Sequence, residues 1–162
     1  MFGLPIGFQV DTKQLRAAFM DIQRASHPDK FTQANEFEQE EALEKSAIAN
    51  KAFTLLQSPA AILPYVLEIK GFLEAEEKYA LSPDFLMEMM DLNEAWMDAE
   101  EDSDKQAIIK QVEQIKTAIY APIQTYMEMD QIDTFSQEAM LQIKSYYYKK
   151  KYLDRILEDF HH

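Results

Sequence analysis

Cysteine is absent from the 162 residues. The chain therefore makes no disulfide, offers no thiolate nucleophile and cannot hold an iron–sulfur cluster through its own sulfurs. Glycine is nearly as scarce, at three residues, which excludes Gly-rich sandwiches and flexible low-complexity tails. Of three histidines, two form the terminal pair His161 and His162, so His27 is the only interior imidazole. No histidine lies three or four positions from it, so neither a metal nor another cofactor is expected. No apolar run approaches the roughly 20 residues that span a bilayer, and no charged-then-apolar leader precedes the first helical pattern. A soluble cytoplasmic protein without a membrane partner is expected. Basic residues are outnumbered 16 to 29, giving a formal net charge of -13, which argues against nucleic acid or anionic lipid as a non-specific partner.

What is present is helical. Hydrophobic residues make up 47% of the chain, and Leu, Ala, Met, Glu, Lys and Gln dominate, all good helix formers. Met1 to Val10 mixes Gly3, Pro5 and Gly7 with Phe2, Leu4, Ile6 and Phe8 and reads as a loop with tucked apolar side chains. Asp11 or Thr12 caps the first helix, whose stripe is Leu15, Phe19 and Ile22. Lys13, Arg16 and Arg24 lie off that stripe, with Lys30 just beyond. In an acidic chain they form a local basic patch suited to an acidic partner.

Pro28 disfavours helix at the residue before it. His27-Pro28-Asp29-Lys30-Phe31 therefore reads as a short exposed loop holding an imidazole and a carboxylate. A second helix begins near Glu36, acidic in its first turns. Its stripe of Ala42, Ser46, Ala49, Phe53 and Leu56 carries small residues that allow close approach to the first helix. The two form an antiparallel hairpin with the loop at its tip. Ser58-Pro59 ends the second helix. Ala60 to Lys70 forms a third, expected to break at Pro64 and to close at Gly71.

Beyond an acidic boundary with Glu74, Glu76 and Glu77, Ser82-Pro83 starts another helix. Phe85, Met89, Leu92 and Trp96 make its core stripe. Leu86, Met87 and Met90 lie on a neighbouring arc that runs into Asp91, Glu94 and Asp98. One stripe suffices for a bundle; a second, methionine-rich and edged by carboxylates, reads as an adaptable partner surface. After a turn at Asp102–Asp104, Ile108, Val112, Ile115, Ile119, Ile123 and Tyr126 stripe a long helix that Pro122 should kink. Asp130 to Asp133 turns the chain again. The last helix uses Ala139, Ile143, Tyr146, Leu153, Leu157 and Phe160, with the stem of Lys150 filling the gap. Its Tyr146-Tyr147-Tyr148 and Lys149-Lys150-Lys151 runs could bind nucleic acid; with this net charge, a bundle core with a basic rim is the reading preferred.

Helix, His-Pro-Asp, helix, then Ala49-Asn50-Lys51-Ala52-Phe53 with Leu56 and Pro59, resembles a J domain. Phe2-Gly3-Leu4-Pro5 and the Phe31 after His-Pro-Asp-Lys resemble the HscB branch, co-chaperones of iron–sulfur cluster assembly. Phe85-Leu86-Met87-Glu88-Met89-Met90-Asp91-Leu92 is similar to that family's bundle motif, so the resemblance covers essentially the whole chain. It implies an all-α protein with a J domain at 1–72, a linker at 73–81 and a three-helix bundle at 82–162. It also implies a non-enzyme that stimulates a DnaK/HscA-type ATPase and presents an IscU-type scaffold to it. His27, Pro28, Asp29, Lys30, Arg16 and Arg24 would meet the chaperone. Leu86, Met87, Met90, Asp91, Glu94 and Asp98, joined by Tyr147, would meet the scaffold. Family members usually carry a few more residues before Phe-Gly-Leu-Pro, so the short helix formed there is expected to be a stub. Ser26 replaces the aromatic common before His-Pro-Asp, removing packing under the loop, and Ile62 replaces a common arginine. A general J-domain adaptor for another client, or a bundle that only dimerises, is the alternative.

Overall fold

The computed structural model describes residues 1–129 and 134–160. The turn expected at Asp130–Asp133 and the His161-His162 pair lie outside the described residues. Every regular element among the described residues is helical. The chain forms two compact units: Met1–Val66 with Glu128–Thr134, and Leu67–Met127 with Phe135–His162.

In the first unit, residues 1–11 contain no helix. Helix α1 spans Thr12–Ala25, and Asp11 caps it by accepting from the amides of Lys13 and Gln14 at 2.9 and 3.1 Å. Helix α2 spans Glu36–Leu56. It starts with a reciprocal cap, in which the Glu38 amide donates to Asn35 Oδ1 at 2.9 Å and the Asn35 amide donates to Glu38 Oε2 at 3.3 Å. Two unpaired helix-end donors are thereby satisfied.

The hairpin is closed by the residues the spacing selects. Leu15, Ala42 and Ala49 are buried, and the rings of Phe19 and Phe53 stack at 4.1 Å. Gln23 ties the other end, accepting from Ser46 Oγ at 3.1 Å and donating to Asn50 Oδ1 at 3.2 Å. Partners fall in number along α2 as they rise along α1, so the two helices are antiparallel.

The chain turns by 114° into α3, Pro59–Ile69. The break expected at Pro64 does not occur, and the helix runs through it. Pro64 sits in the second turn, so a single intrahelical bond is lost. Ile62, Leu63, Val66 and Leu67 are all buried along α3, and that apolar burial outweighs one bond. Gly71, at φ +78°, closes α3: its amide donates to Glu68 O at 3.0 Å, and the Phe72 amide reaches back to Leu67 O at 2.8 Å. A left-handed residue here would strain any side chain with a Cβ.

The second unit is an up–down–up bundle of α4 (Pro83–Asp98), α5 (Asp102–Tyr120) and α7 (Gln137–Asp159). Phe85, Met89 and Leu92 of α4, Ile108, Val112 and Ile115 of α5, and Leu153, Ile156 and Phe160 form its core. Trp96 stacks on Phe160 at 4.4 Å, and Phe85 meets Tyr152 edge-on at 6.3 Å, so α4 and α7 run parallel. Tyr120 meets Tyr146 at 5.6 Å, which sets α5 antiparallel to α7. Pro122 interrupts the long helix as expected, through the 3-10 turn Ala121–Ile123 that leads into α6, Gln124–Met127.

Ile156 joins Leu153 in the buried core, and the expected Leu157 is half-buried against it. One expectation for α7 is corrected. Lys150 does not fill the core: it is exposed and pairs with Asp154. The adjacent Lys149 instead sets its ammonium 5.7 Å from the Phe85 ring centre.

Candidate functional site

Two surfaces carry the residues singled out by the sequence, one in each unit. In the first unit the loop is more ordered than an irregular connection. Pro28–Phe31 forms a 3-10 turn with His27 at its N-cap. The imidazole Nδ1 accepts from the Asp29 amide at 3.3 Å, so the neutral ring carries its proton on Nε2. The Asp29 carboxylate lies 3.5 Å from the same Nδ1, with its side chain 87% exposed. The turn leaves the Asp29 carboxylate and the imidazole largely exposed, side by side.

Ser26 beneath the turn is buried and satisfied. Its amide and hydroxyl both donate to Ile22 O, at 2.9 and 2.6 Å. The small residue lets the helix end close on itself, so the expected packing deficit is met by hydrogen bonds. Ile62, in place of the expected arginine, is likewise buried.

Lys13, Arg16 and Arg24 are exposed on α1, and Lys30 is exposed in the turn. Arg24 reaches Asp21 at 4.0 Å with both side chains largely exposed, a pair that contributes little. The sequence reading missed Met20, 45% exposed. Spacings of three, four and four put residues 13, 16, 20 and 24 on one line, so the basic face has an apolar centre.

In the second unit, α4 divides by register. Ser82 caps it by accepting from the Phe85 amide at 3.4 Å, and Pro83 occupies the first turn. Met89 is fully buried, whereas its neighbours Met87 and Met90 are 63% and 67% exposed. Leu86 is half-buried, and Asp91, Glu94 and Asp98 are exposed. Met97 was not anticipated; it lies two turns beyond Met90 and is 77% exposed. Position 97 follows 90 by seven residues, so the same arc could have been extended to it.

Tyr147 does not join this group. Its ring packs edge-on against Tyr148 at 5.1 Å, with the Lys151 ammonium 5.9 Å away. Besides the core residues Leu153 and Ile156, Lys149 and Tyr152 of α7 reach α4, both at Phe85. At roughly 100° per residue, Tyr147 points about 140° away from Tyr152. Tyr152 is the tyrosine that the fold sets beside α4, with Arg155 5.1 Å from its ring centre. The basic run of α7 is thus distributed over rings and Asp154, not aligned as a phosphate-binding stripe.

Segment 73–81 is also docked. Glu76 adopts φ +58°, the left-handed region that costs a residue with a Cβ about 1–2 kcal/mol. The turn delivers Glu77 to α7, where it pairs with Lys144 and accepts from the Tyr148 hydroxyl at 2.9 Å. The Lys144 hydrogen bond, with a smaller contribution from Tyr148, holds the Glu77 carboxyl below its usual range. Burial first, then donation to Glu77, pushes the Tyr148 phenol up to about 12. Burial likewise raises Tyr146. Among the described residues, no group of three or more His, Cys, Asp or Glu side chains is arranged to hold a metal.

Residues 81–161 match the family model described as the HSCB C-terminal oligomerisation domain. The chain is similar in structure to chaperone HscB from Vibrio cholerae, at 26% identity and TM-score 0.64, covering 99% of this chain and 92% of that one. It is also similar to the human co-chaperone protein HscB, at 25% identity and TM-score 0.69, with 98% and 77% covered. With the bundle matched throughout and both relatives aligned along nearly all of its length, this chain belongs to the HscB co-chaperone family.

Proposed function

We propose that this co-chaperone stimulates the ATPase of a DnaK/HscA-type chaperone and delivers to it an IscU-type iron–sulfur scaffold, promoting cluster transfer. In this reading residues 1–72 are the J domain, 73–81 the linker and 82–162 the scaffold-binding domain, and the protein works in the cytoplasm. His27, Pro28, Asp29, Lys30, Arg16 and Arg24 engage the chaperone. In this reading the loop acts by binding one conformation of the ATPase and not by transferring a proton itself. Leu86, Met87, Met90, Asp91, Glu94 and Asp98 engage the scaffold, joined by a tyrosine of α7, for which the contact with Phe85 favours Tyr152 over Tyr147. One chain that binds both partners raises the concentration of each near the other. The observation that carries the proposal is the second face of α4, whose methionines remain exposed although the same helix already fills a core.

The test is steady-state ATP hydrolysis by the cognate chaperone with this protein, with apo scaffold, and with both, in parallel with His27→Gln. Stimulation that requires His27 and is more than additive with scaffold is expected. Stimulation indifferent to scaffold would remove the client assignment, and its absence would remove the chaperone assignment.

The description of the matched model as an oligomerisation domain favours a second reading, in which the exposed α4 face joins two copies. Sedimentation equilibrium separates the two: a monomer that binds scaffold excludes the dimer reading.

A further inference from the structure

The segment ahead of α4 is held by more than its backbone. Tyr79 lies flat on Tyr148, with ring centres 4.4 Å apart and planes within 3°. The Tyr148 hydroxyl donates to Glu77 Oε2 at 2.9 Å. Glu77 Oε1 takes the Lys144 ammonium, which also stands 5.9 Å from the Tyr79 ring centre. The ion pair is well covered, its two side chains being 14% and 22% exposed. Lys144, Tyr148 and Tyr152 follow one another at four-residue steps and share a face of α7. Tyr152 meets Phe85, the residue next to Leu86. Tyr79, Tyr148 and Tyr152 are all half-buried, so each ring keeps part of its surface open.

We propose that Glu77 and Tyr79 are positioning residues for partner recognition: docked on α7, they complete an aromatic ledge of Tyr79, Tyr148 and Tyr152 that continues the α4 face and receives the same scaffold. The inference rests on the scaffold reading above. Its occupant is defined by chemistry as well as continuity. The methionines are edged by Asp91, Glu94 and Asp98, and the ledge adds ring surface whose central hydroxyl is already engaged by Glu77. A partner segment that is apolar with flanking basic residues fits that combination. Rings held in place bind without a large ordering cost, which is what the Glu77 contacts contribute.

The test is calorimetric titration of apo scaffold into the full chain and its variants. Tyr79→Ala should weaken binding about threefold to tenfold, the size of one aromatic contact. Tyr79→Phe should bind as the unmodified chain does, because the stack and not the hydroxyl builds the ledge. Glu77→Gln should weaken binding less and add nothing in the Tyr79→Ala background, since both changes act through the same rings. If Tyr79→Ala lowers the melting temperature, the exchanged pair Glu77→Lys with Lys144→Glu decides the matter. Recovered affinity relative to Glu77→Lys alone supports the ledge, and no recovery overturns it. Tyr79→Ala binding as tightly as the unmodified chain overturns the ledge while leaving the α4 face intact. No binding by the unmodified chain overturns the scaffold reading and the ledge together.

Discussion

Met89 and Met90 are adjacent in sequence and opposite in consequence. Met89 is wholly buried in the bundle core and Met90 is 67% exposed. Met89→Ala should destabilise the bundle by about 2–5 kcal/mol, the range for removing a buried methionine side chain. Met90→Ala should leave stability within about 0.5 kcal/mol, as surface substitutions do. In the scaffold complex the order reverses. Fully burying a methionine contributes about 1.5–3 kcal/mol. With two thirds of Met90 available for cover, its loss should cost about 1–2 kcal/mol of binding, roughly five- to thirtyfold in Kd. Met87, 63% exposed, should behave alike. Thermal melts monitored by circular dichroism and scaffold titration at a temperature where both variants are folded give the two numbers. The reasoning fails if Met90→Ala lowers the melting temperature as far as Met89→Ala does, or if it binds scaffold with undiminished affinity.

The docked linker should have a pH window. Glu77 is depressed below its ordinary 4.5, so its contribution is complete above that pH and is lost as the pH falls below it. Tyr148 is raised from 10.0 to about 12, so its contribution is complete below pH 10 and is lost between there and about 12. Ring resonances of Tyr79 and Tyr148, followed by NMR, should hold constant between those limits; a transition near neutrality would refute the linkage. Both associations should weaken with salt, but chaperone stimulation more steeply, because Arg16, Arg24 and Lys30 act by charge whereas Met87 and Met90 do not. Equal salt slopes would count against that division.

The helices were legible because their registers are unambiguous. Leu15, Phe19 and Ile22 admit one face, and Phe85, Met89, Leu92 and Trp96 admit one stripe, so the surplus methionines stand out in the sequence itself. The Asn35–Glu38 cap was missed, although an Asn three residues before a Glu is the pattern that closes reciprocally. The other failures share a cause: position along a helix was read without knowing what faced it. Pro64 looked like a break because a proline costs a bond, but Ile62, Leu63, Val66 and Leu67 bury enough apolar surface to keep α3 whole. In α7 the choice between Lys149 and Lys150 depends on where α4 lies, which one strand of sequence does not state. The aromatic proposed for the α4 face turns on the same placement, since the resemblance selects Tyr147 whereas the contact with Phe85 selects Tyr152. Three tyrosines in a row cover most of a turn, so spacing alone could not favour one.

Charge explains how one small chain keeps its two surfaces apart in specificity. The net charge is -13, yet α1 presents Lys13, Arg16 and Arg24 along one line around Met20. Fields from exposed charges fade over about 8 Å at physiological ionic strength, so a partner arriving at α1 meets the local sign and not the average. At α4 the sign is reversed, with Asp91, Glu94 and Asp98 around the methionines. A partner acidic enough to favour α1 is therefore repelled at α4, and a basic segment that suits α4 is repelled at α1. Each surface also has an apolar centre, so affinity comes from burial while the charged edges decide which partner is admitted. That arrangement suits the proposed role, in which two different proteins are brought together without either occupying the other's place.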